Sequence, residues 1–102
     1  MSGDTSTKGQ MPWFVYLVEC ADGTLYCGAT TDITRRLTEH NRGTASRYTR
    51  GRRPVVLVSR APCPDRASAL ALEAVIKKLP KDKKRKFLDD RLKENRSVVD
   101  SD

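Results

Sequence analysis

Histidine occurs once in this chain, at His40, and the three cysteines, Cys20, Cys27 and Cys63, form no CxxC pair. So few ligands exclude a structural zinc centre built from thiolates and imidazoles. The cysteine number is odd, and the opening stretch, Met1 to Gln10, is polar with no apolar centre. Both features argue against a secreted disulfide scaffold and predict a cytoplasmic protein with free thiols. No apolar run approaches the roughly 20 residues of a membrane span. Acidic residues are outnumbered: thirteen Asp and Glu stand against twenty Lys and Arg, a net charge of +7. Such an excess favours a polyanionic partner, through attraction to phosphates and release of their counterions. With a membrane set aside, nucleic acid leads.

What is present suits one domain. The chain has 102 residues, 37% of them hydrophobic, enough for one modest core. The expected organisation is a flexible tail over 1–11, a domain over 12–92 and a second flexible tail over 93–102. Trp13 to Cys20 is β-branched and aromatic and reads as a strand. Ala21-Asp22-Gly23-Thr24 follows, with the Asp-Gly pair of tight turns whose central residues take positive φ, and Leu25 to Ala29 returns as the second strand. Thr31-Asp32 can cap a helix over 32–41 carrying Ile33, Leu37 and His40, which Asn41-Arg42-Gly43 stops. A basic loop over 44–53 leads to Val55–Ser59, read as a third and central strand, and Pro62, Pro64 and Asp65 mark a turn. Ala69, Leu72, Val75, Ile76 and Leu79 form a helical stripe that ends at Pro80. A short last helix from Lys81 to about Leu92 would pack through Phe87 and Leu88. The expected class is α+β: a small three-stranded antiparallel sheet flanked by two to three helices, in β-β-α-β-α-α order.

Five residues suggest chemistry. Tyr16 and Tyr26 stand on the two strands of the hairpin, at a spacing that lets both project from one face. Arg36 and His40 are one turn apart on the next helix. Glu73 is the sole carboxylate between Arg66 and Leu79. Taken singly, each has a plain reading: a strand tyrosine that packs, a solvated arginine or histidine, a glutamate paired with Lys77.

Together they resemble a known family. Phe14-Val15-Tyr16 and Tyr26-Cys27-Gly28 look like the two name-giving elements of GIY-YIG nucleases. Asp32-Ile33-Thr34-Arg35-Arg36-Leu37 and Glu39-His40-Asn41 look like that family's catalytic-arginine helix, and Glu73 falls where it carries a metal-binding glutamate. The segment Ser46 to Pro54 is similar to that of small stand-alone bacterial members (YhbQ-like) and of the nuclease subunit of the SLX structure-specific endonuclease. Phe14 replaces the glycine of the first element, and Ala29 stands where some members have a lysine, whose work the resemblance gives to His40. The implied function is metal-dependent hydrolysis of DNA phosphodiester bonds, with Mg²⁺ or Mn²⁺ as cofactor and little sequence specificity. A phenol ionises near pH 10, so it is a poor base unless a cation assists it. The roles implied are Tyr16 as general base, and Tyr26 as its hydrogen-bonding partner or orienter of the water. Arg36 would stabilise the transition state, His40 would help the base or contact phosphate, and Glu73 would bind metal.

Binding falls to the basic stretch. Between Thr34 and Arg53 there are seven arginines and one acid, Glu39. Arg35, Arg42, Arg47, Arg50, Arg52 and Arg53 would track the DNA backbone, and Tyr48 would stack on a base or touch a phosphate. The run Lys77 to Lys86 either extends this footprint or is simply solvated. Room is left for a protein partner that supplies targeting. The rival reading is a nucleic-acid-binding module on the same fold that does not cleave.

Overall fold

In the computed structural model the described residues are 13–100, with side chains through Lys93; the tail expected over 1–11 lies outside them. Strands β1 (Trp13–Glu19), β2 (Leu25–Thr30) and β3 (Val56–Cys63) form one antiparallel sheet in the order β2-β1-β3. The α+β class and the three-stranded sheet are therefore as expected, but the central strand is β1, not β3. The reason lies in β1 itself, where Val15, Tyr16, Leu17 and Val18 are buried in succession. A strand covered on both faces belongs in the middle of a sheet.

The hairpin forms by a different turn from the one anticipated. Among the described residues only Gly23 and Gly43 have positive φ, so Asp22 does not. The N–H of Gly23 donates to the carbonyl of Cys20, and Asp22 Oδ1 accepts from the backbone N–H and hydroxyl of Thr24. This is a turn followed by one left-handed glycine, the usual form of a slightly longer loop. Strand β3 extends beyond Ser59 to Cys63 and carries Pro62 within it, opposite Phe14. Pro62 was expected to mark a turn; an edge strand tolerates a proline, which has no N–H to donate, because one side of the strand has no neighbour to bond.

Two helices cover each face. On one face α3 (Arg66–Lys77) crosses β1 and β2, and α4 (Lys81–Asp100) lies along β3. Their Ala69, Leu72, Ile76 and Leu88 close a core over Val15, Leu17, Cys27, Ala61 and Cys63. Val75, expected in the stripe, is exposed, because Ala69, Leu72 and Ile76 already define the face that fits the sheet. Helix α4 runs past Leu92, where the last helix was expected to end, to Asp100, since no Gly or Pro interrupts Lys81–Asp100. Lys84 extends its ammonium to the carbonyls of Ile76 and Lys77 and caps α3, so part of the lysine run is structural.

On the other face α1 (Ile33–Arg42) and α2 (Arg47–Arg50) cover Tyr16, Val18, Cys20 and Val55, with Ile33, Leu37 and Leu57 packed around them. Asp32 caps α1 by accepting from the N–H of Arg35, and Gly43 ends it at φ 84°. The expected basic loop contains α2, because the Ser46 hydroxyl accepts from the N–H groups of Tyr48 and Thr49 and starts a turn of helix. Asn41 then fastens α1 to β3: its amide donates to the carbonyl of Val55, and its oxygen accepts from the Val55 N–H. Val55 is buried, so without Asn41 both backbone groups would lack partners. Asn41→Ala is expected to lower unfolding stability by about 1–2 kcal/mol, read as a lower urea midpoint at unchanged slope.

Candidate active site

The register of the hairpin places both phenols. Tyr16 lies opposite Gly28 and Val18 lies opposite Tyr26, so Tyr16 and Tyr26 rise from the face that α1 and α2 cover. Gly28 is what lets Tyr16 lie down across β2. A Cβ at that position would run into the Tyr16 hydroxyl and come within 2.6 Å of its Cζ. Tyr16 is thereby almost wholly buried, 2% exposed, with its hydroxyl aimed at α1.

His40 meets it there. Near the end of α1 and 1% exposed, its imidazole has Nε2 2.8 Å from Tyr16 Oη and Nδ1 2.7 Å from Thr49 Oγ1. Tyr26 stands edge-on to the same imidazole, with ring centres 5.3 Å apart. Burial, and then the nearby Arg36 charge, hold His40 below the ordinary imidazole value of 6.5, with Glu39 opposing them. It is neutral at pH 7. Burial also raises the Tyr16 phenol well above its ordinary value, and Tyr26 and Glu73 add to this while Arg36 works against it.

Arg36 lies one turn before His40. Its Nε is buried and has no hydrogen-bond partner among the described residues. Glu39 Oε1 is 3.4 Å away, an ion-pair distance without the geometry of a hydrogen bond. A buried, unsatisfied donor on a guanidinium is costly, and a bound anion would relieve it.

Glu73 comes from the other side of the sheet. It projects from α3, which lies against β2, and its field reaches both the Tyr16 phenol and the Cys27 thiol. Its side chain is 15% exposed and ion-paired with Lys77 at 2.9 Å. Lys77 Nζ in turn lies 6.0 Å from the centre of the Tyr26 ring. The i,i+4 pairing with Lys77 is thus present, and the Glu73 charge is felt at the Tyr16 phenol. Among the described residues no group of three or more His, Cys, Asp and Glu could surround a metal ion. A lone carboxylate fits a cation that keeps most of its waters and takes phosphate oxygens, such as Mg²⁺, and does not fit an ion held by protein ligands alone.

The anticipated binding residues divide into two sets. Arg35, Arg42, Arg47 and Arg50 are exposed, and Arg47 and Arg50 line a shallow cleft with Gly43, Thr44, Ala45 and Ser46. Arg52 and Arg53 also brace the loop: Arg52 donates to Asp22 Oδ2 and to the Tyr48 carbonyl, and Arg53 donates to the Arg50 carbonyl. Tyr48, 37% exposed, is stacked on Tyr26 with ring centres 5.7 Å apart, and the Arg52 guanidinium sits 4.0 Å over its ring. The cysteines are buried and free, and burial pushes the Cys27 thiol up to about 12, which makes it inert as a nucleophile. Two residues of the site were missed. Thr49 gave no signal in a basic stretch, whereas Gly28, isolated inside a strand, is the standard mark of a close approach.

A hairpin that carries two phenols on one face, a helix with arginine and histidine above them, and a glutamate at the edge define a class. The model of the GIY-YIG catalytic domain matches residues 12–86, and the chain belongs to that nuclease family. Within it the chain is similar to small bacterial proteins of the UPF0213 group. One from Nitratidesulfovibrio vulgaris is 56% identical over 77 residues, 76% of this chain and 70% of that protein. Another, from Desulfotalea psychrophila, is 58% identical over 74 residues, 72% of this chain and 67% of its own. The solution NMR structure of a protein from E. faecalis matches with a TM-score of 0.53 at 40% identity, over 74% of this chain and 81% of that one.

The cradle formed by Gly28 has a direct consequence. Gly28→Ala is expected to cost about 1–3 kcal/mol by overpacking, because the phenol must leave its bed. Urea unfolding checks the stability, and loss of the Tyr16 ring contacts to His40 in NMR spectra checks the cause.

Proposed function

We propose that this protein is an endonuclease that hydrolyses DNA phosphodiester bonds, using Mg²⁺ or Mn²⁺, with little sequence specificity and a preference for DNA shape. The observation that supports this most is the buried Tyr16–His40 hydrogen bond beside an Arg36 Nε that lacks a partner. Such a pairing of a proton acceptor with an unsatisfied cationic donor serves an anionic substrate that must be attacked by water. It serves a folding core poorly.

The chemistry follows from the protonation states. The Tyr16 phenol is held protonated at neutral pH, so it cannot act alone as a phenolate. In this reading Tyr16 and His40 share the work of the base. As the attacking water gives a proton to Tyr16 Oη, the phenol proton moves to His40 Nε2, which is neutral and ready to accept it. The hydroxide forms the new bond to phosphorus, and the bond to the leaving oxygen breaks; that oxygen takes its proton from solvent. Arg36 turns its guanidinium toward the phosphate oxygens as negative charge builds on them. Glu73 would hold the divalent cation, which when bound adds positive charge beside the same oxygens. Tyr26, edge-on to His40 and stacked on Tyr48, packs against the imidazole. The exposed Arg35, Arg42, Arg47 and Arg50 hold the DNA backbone without reading bases, and the small surface leaves little for sequence readout.

The test is cleavage of branched, single-stranded and duplex DNA with and without Mg²⁺. Arg36→Ala and Glu73→Ala are each expected to lower cleavage about a hundredfold or more. Cleavage that survives both substitutions sinks the site assignment. Salt-dependent DNA binding with no cleavage by the native protein favours a binding module instead. The rate is expected to fall as pH drops below 6.5 and His40 takes up a proton, and His40→Gln should remove that acid limb.

Lys77 provides a separate check on Glu73. The i,i+4 Lys77–Glu73 pair, its lysine exposed, is weak, worth about a few tenths of a kcal/mol, and a cation must displace it. Lys77→Met is expected to tighten Mn²⁺ binding several-fold, measured by electron paramagnetic resonance of free Mn²⁺. An unchanged affinity would mean that the cation binds elsewhere.

A further inference from the structure

Thr49 is fully buried, 0% exposed, and has no place in the chemistry described so far. It stands on α2, and its hydroxyl oxygen lies 2.7 Å from His40 Nδ1 and 3.4 Å from the carbonyl of Ser46. The opposite nitrogen of the same ring, Nε2, lies 2.8 Å from Tyr16 Oη. Three buried groups thus share a short chain of hydrogen bonds, and their hydrogens must be distributed along it.

Only one distribution satisfies every hydrogen with partners from the described residues alone. A neutral imidazole carries one N–H. If that hydrogen is on Nδ1, it donates to Thr49 Oγ1, and the Thr49 hydroxyl donates onward to the Ser46 carbonyl. Nε2 is then a bare lone pair that accepts the Tyr16 hydroxyl. If the hydrogen is on Nε2 instead, it points at Tyr16 Oη, and the phenol hydrogen has no acceptor among the described residues. The Thr49 hydroxyl would also have to abandon Ser46. A buried donor without an acceptor is costly, which decides between the two.

We propose that Thr49 is a positioning residue: it holds His40 in the Nδ1–H tautomer and so leaves the Nε2 lone pair facing Tyr16. The assignment deepens the nuclease reading and rests on it for its purpose, since a lone pair at Nε2 is what lets the imidazole take the phenol proton. The geometry also explains why α2 exists as an ordered turn. The Ser46 cap sets the helix that seats Thr49 under the imidazole, and the Ser46 carbonyl receives the Thr49 hydroxyl.

His40 is the single histidine of the chain, so ¹⁵N-labelled histidine gives one imidazole signal pair that reports the tautomer directly. The native protein at neutral pH is expected to show a protonated Nδ1 and a bare Nε2. Thr49→Val keeps the shape and removes the acceptor, and should move the population to Nε2–H. Thr49→Ser should restore the native pattern. Cleavage is expected to follow the tautomer: kcat about a hundredfold lower in Thr49→Val with KM little changed, and near native in Thr49→Ser. A native spectrum with the proton on Nε2 overturns the inference whether or not the protein cuts DNA. So does a Thr49→Val protein that keeps the Nδ1–H form. If the native protein shows the expected tautomer and its response to Thr49 but cleaves nothing, the nuclease reading fails while the tautomer assignment stands.

Discussion

The structure turns on one hydrogen bond, that between the Tyr16 hydroxyl and His40 Nε2, made between two side chains that are almost wholly buried. A phenol and an imidazole buried together must satisfy their polar atoms from each other and from a few fixed neighbours. That need explains the glycine opposite Tyr16, the threonine under the imidazole and the short helix that carries it. It also accounts for the protonation states. The same burial that raises the phenol lowers the imidazole, so the pair holds its proton on oxygen and keeps nitrogen free.

The two faces of the sheet divide the labour. The face under α3 and α4 is an ordinary apolar core of Val, Leu, Ala, Ile and Cys. The face under α1 and α2 is where apolar packing by Val18, Val55, Ile33 and Leu37 surrounds a polar centre. Glu73 bridges the division: its helix belongs to the apolar layer, yet its carboxylate sits near enough to β2 for its charge to be felt at Tyr16. The edge position of β2 makes this approach open, since among the described residues no further strand lies beyond it.

Much of this was legible in the chain before any coordinates. The hairpin with two phenols on one face, the capped helix of α1 and the helix of α3 followed from periodicity, turn residues and motif resemblance. The errors were of a consistent kind. The short, continuous apolar run of β3 suggests a central strand, but an edge strand pressed by α4 reads the same way. Val75 fitted a stripe that was too wide, and α2 was hidden in a basic stretch whose only helix signal was one serine. Arg52 and Arg53 read as free cations, while the fold also uses them to brace the loop against Asp22, Tyr48 and Arg50.

Local alternation, capping and charge act over a few residues, and these the sequence by itself determined: an α+β domain, a hairpin with two phenols on one face, and a basic surface suited to phosphates. Contacts between residues far apart in the chain are set by how helices land on the sheet, and these only the tertiary structure decided. They are the seating of His40 between Tyr16 and Thr49, the clamp of Asn41 on Val55, and the pairing that links Glu73 and Lys77 to the edge of β2. Hydrogen bonds of that kind depend on placement to a fraction of an ångström, which no residue pattern along one strand or helix can specify.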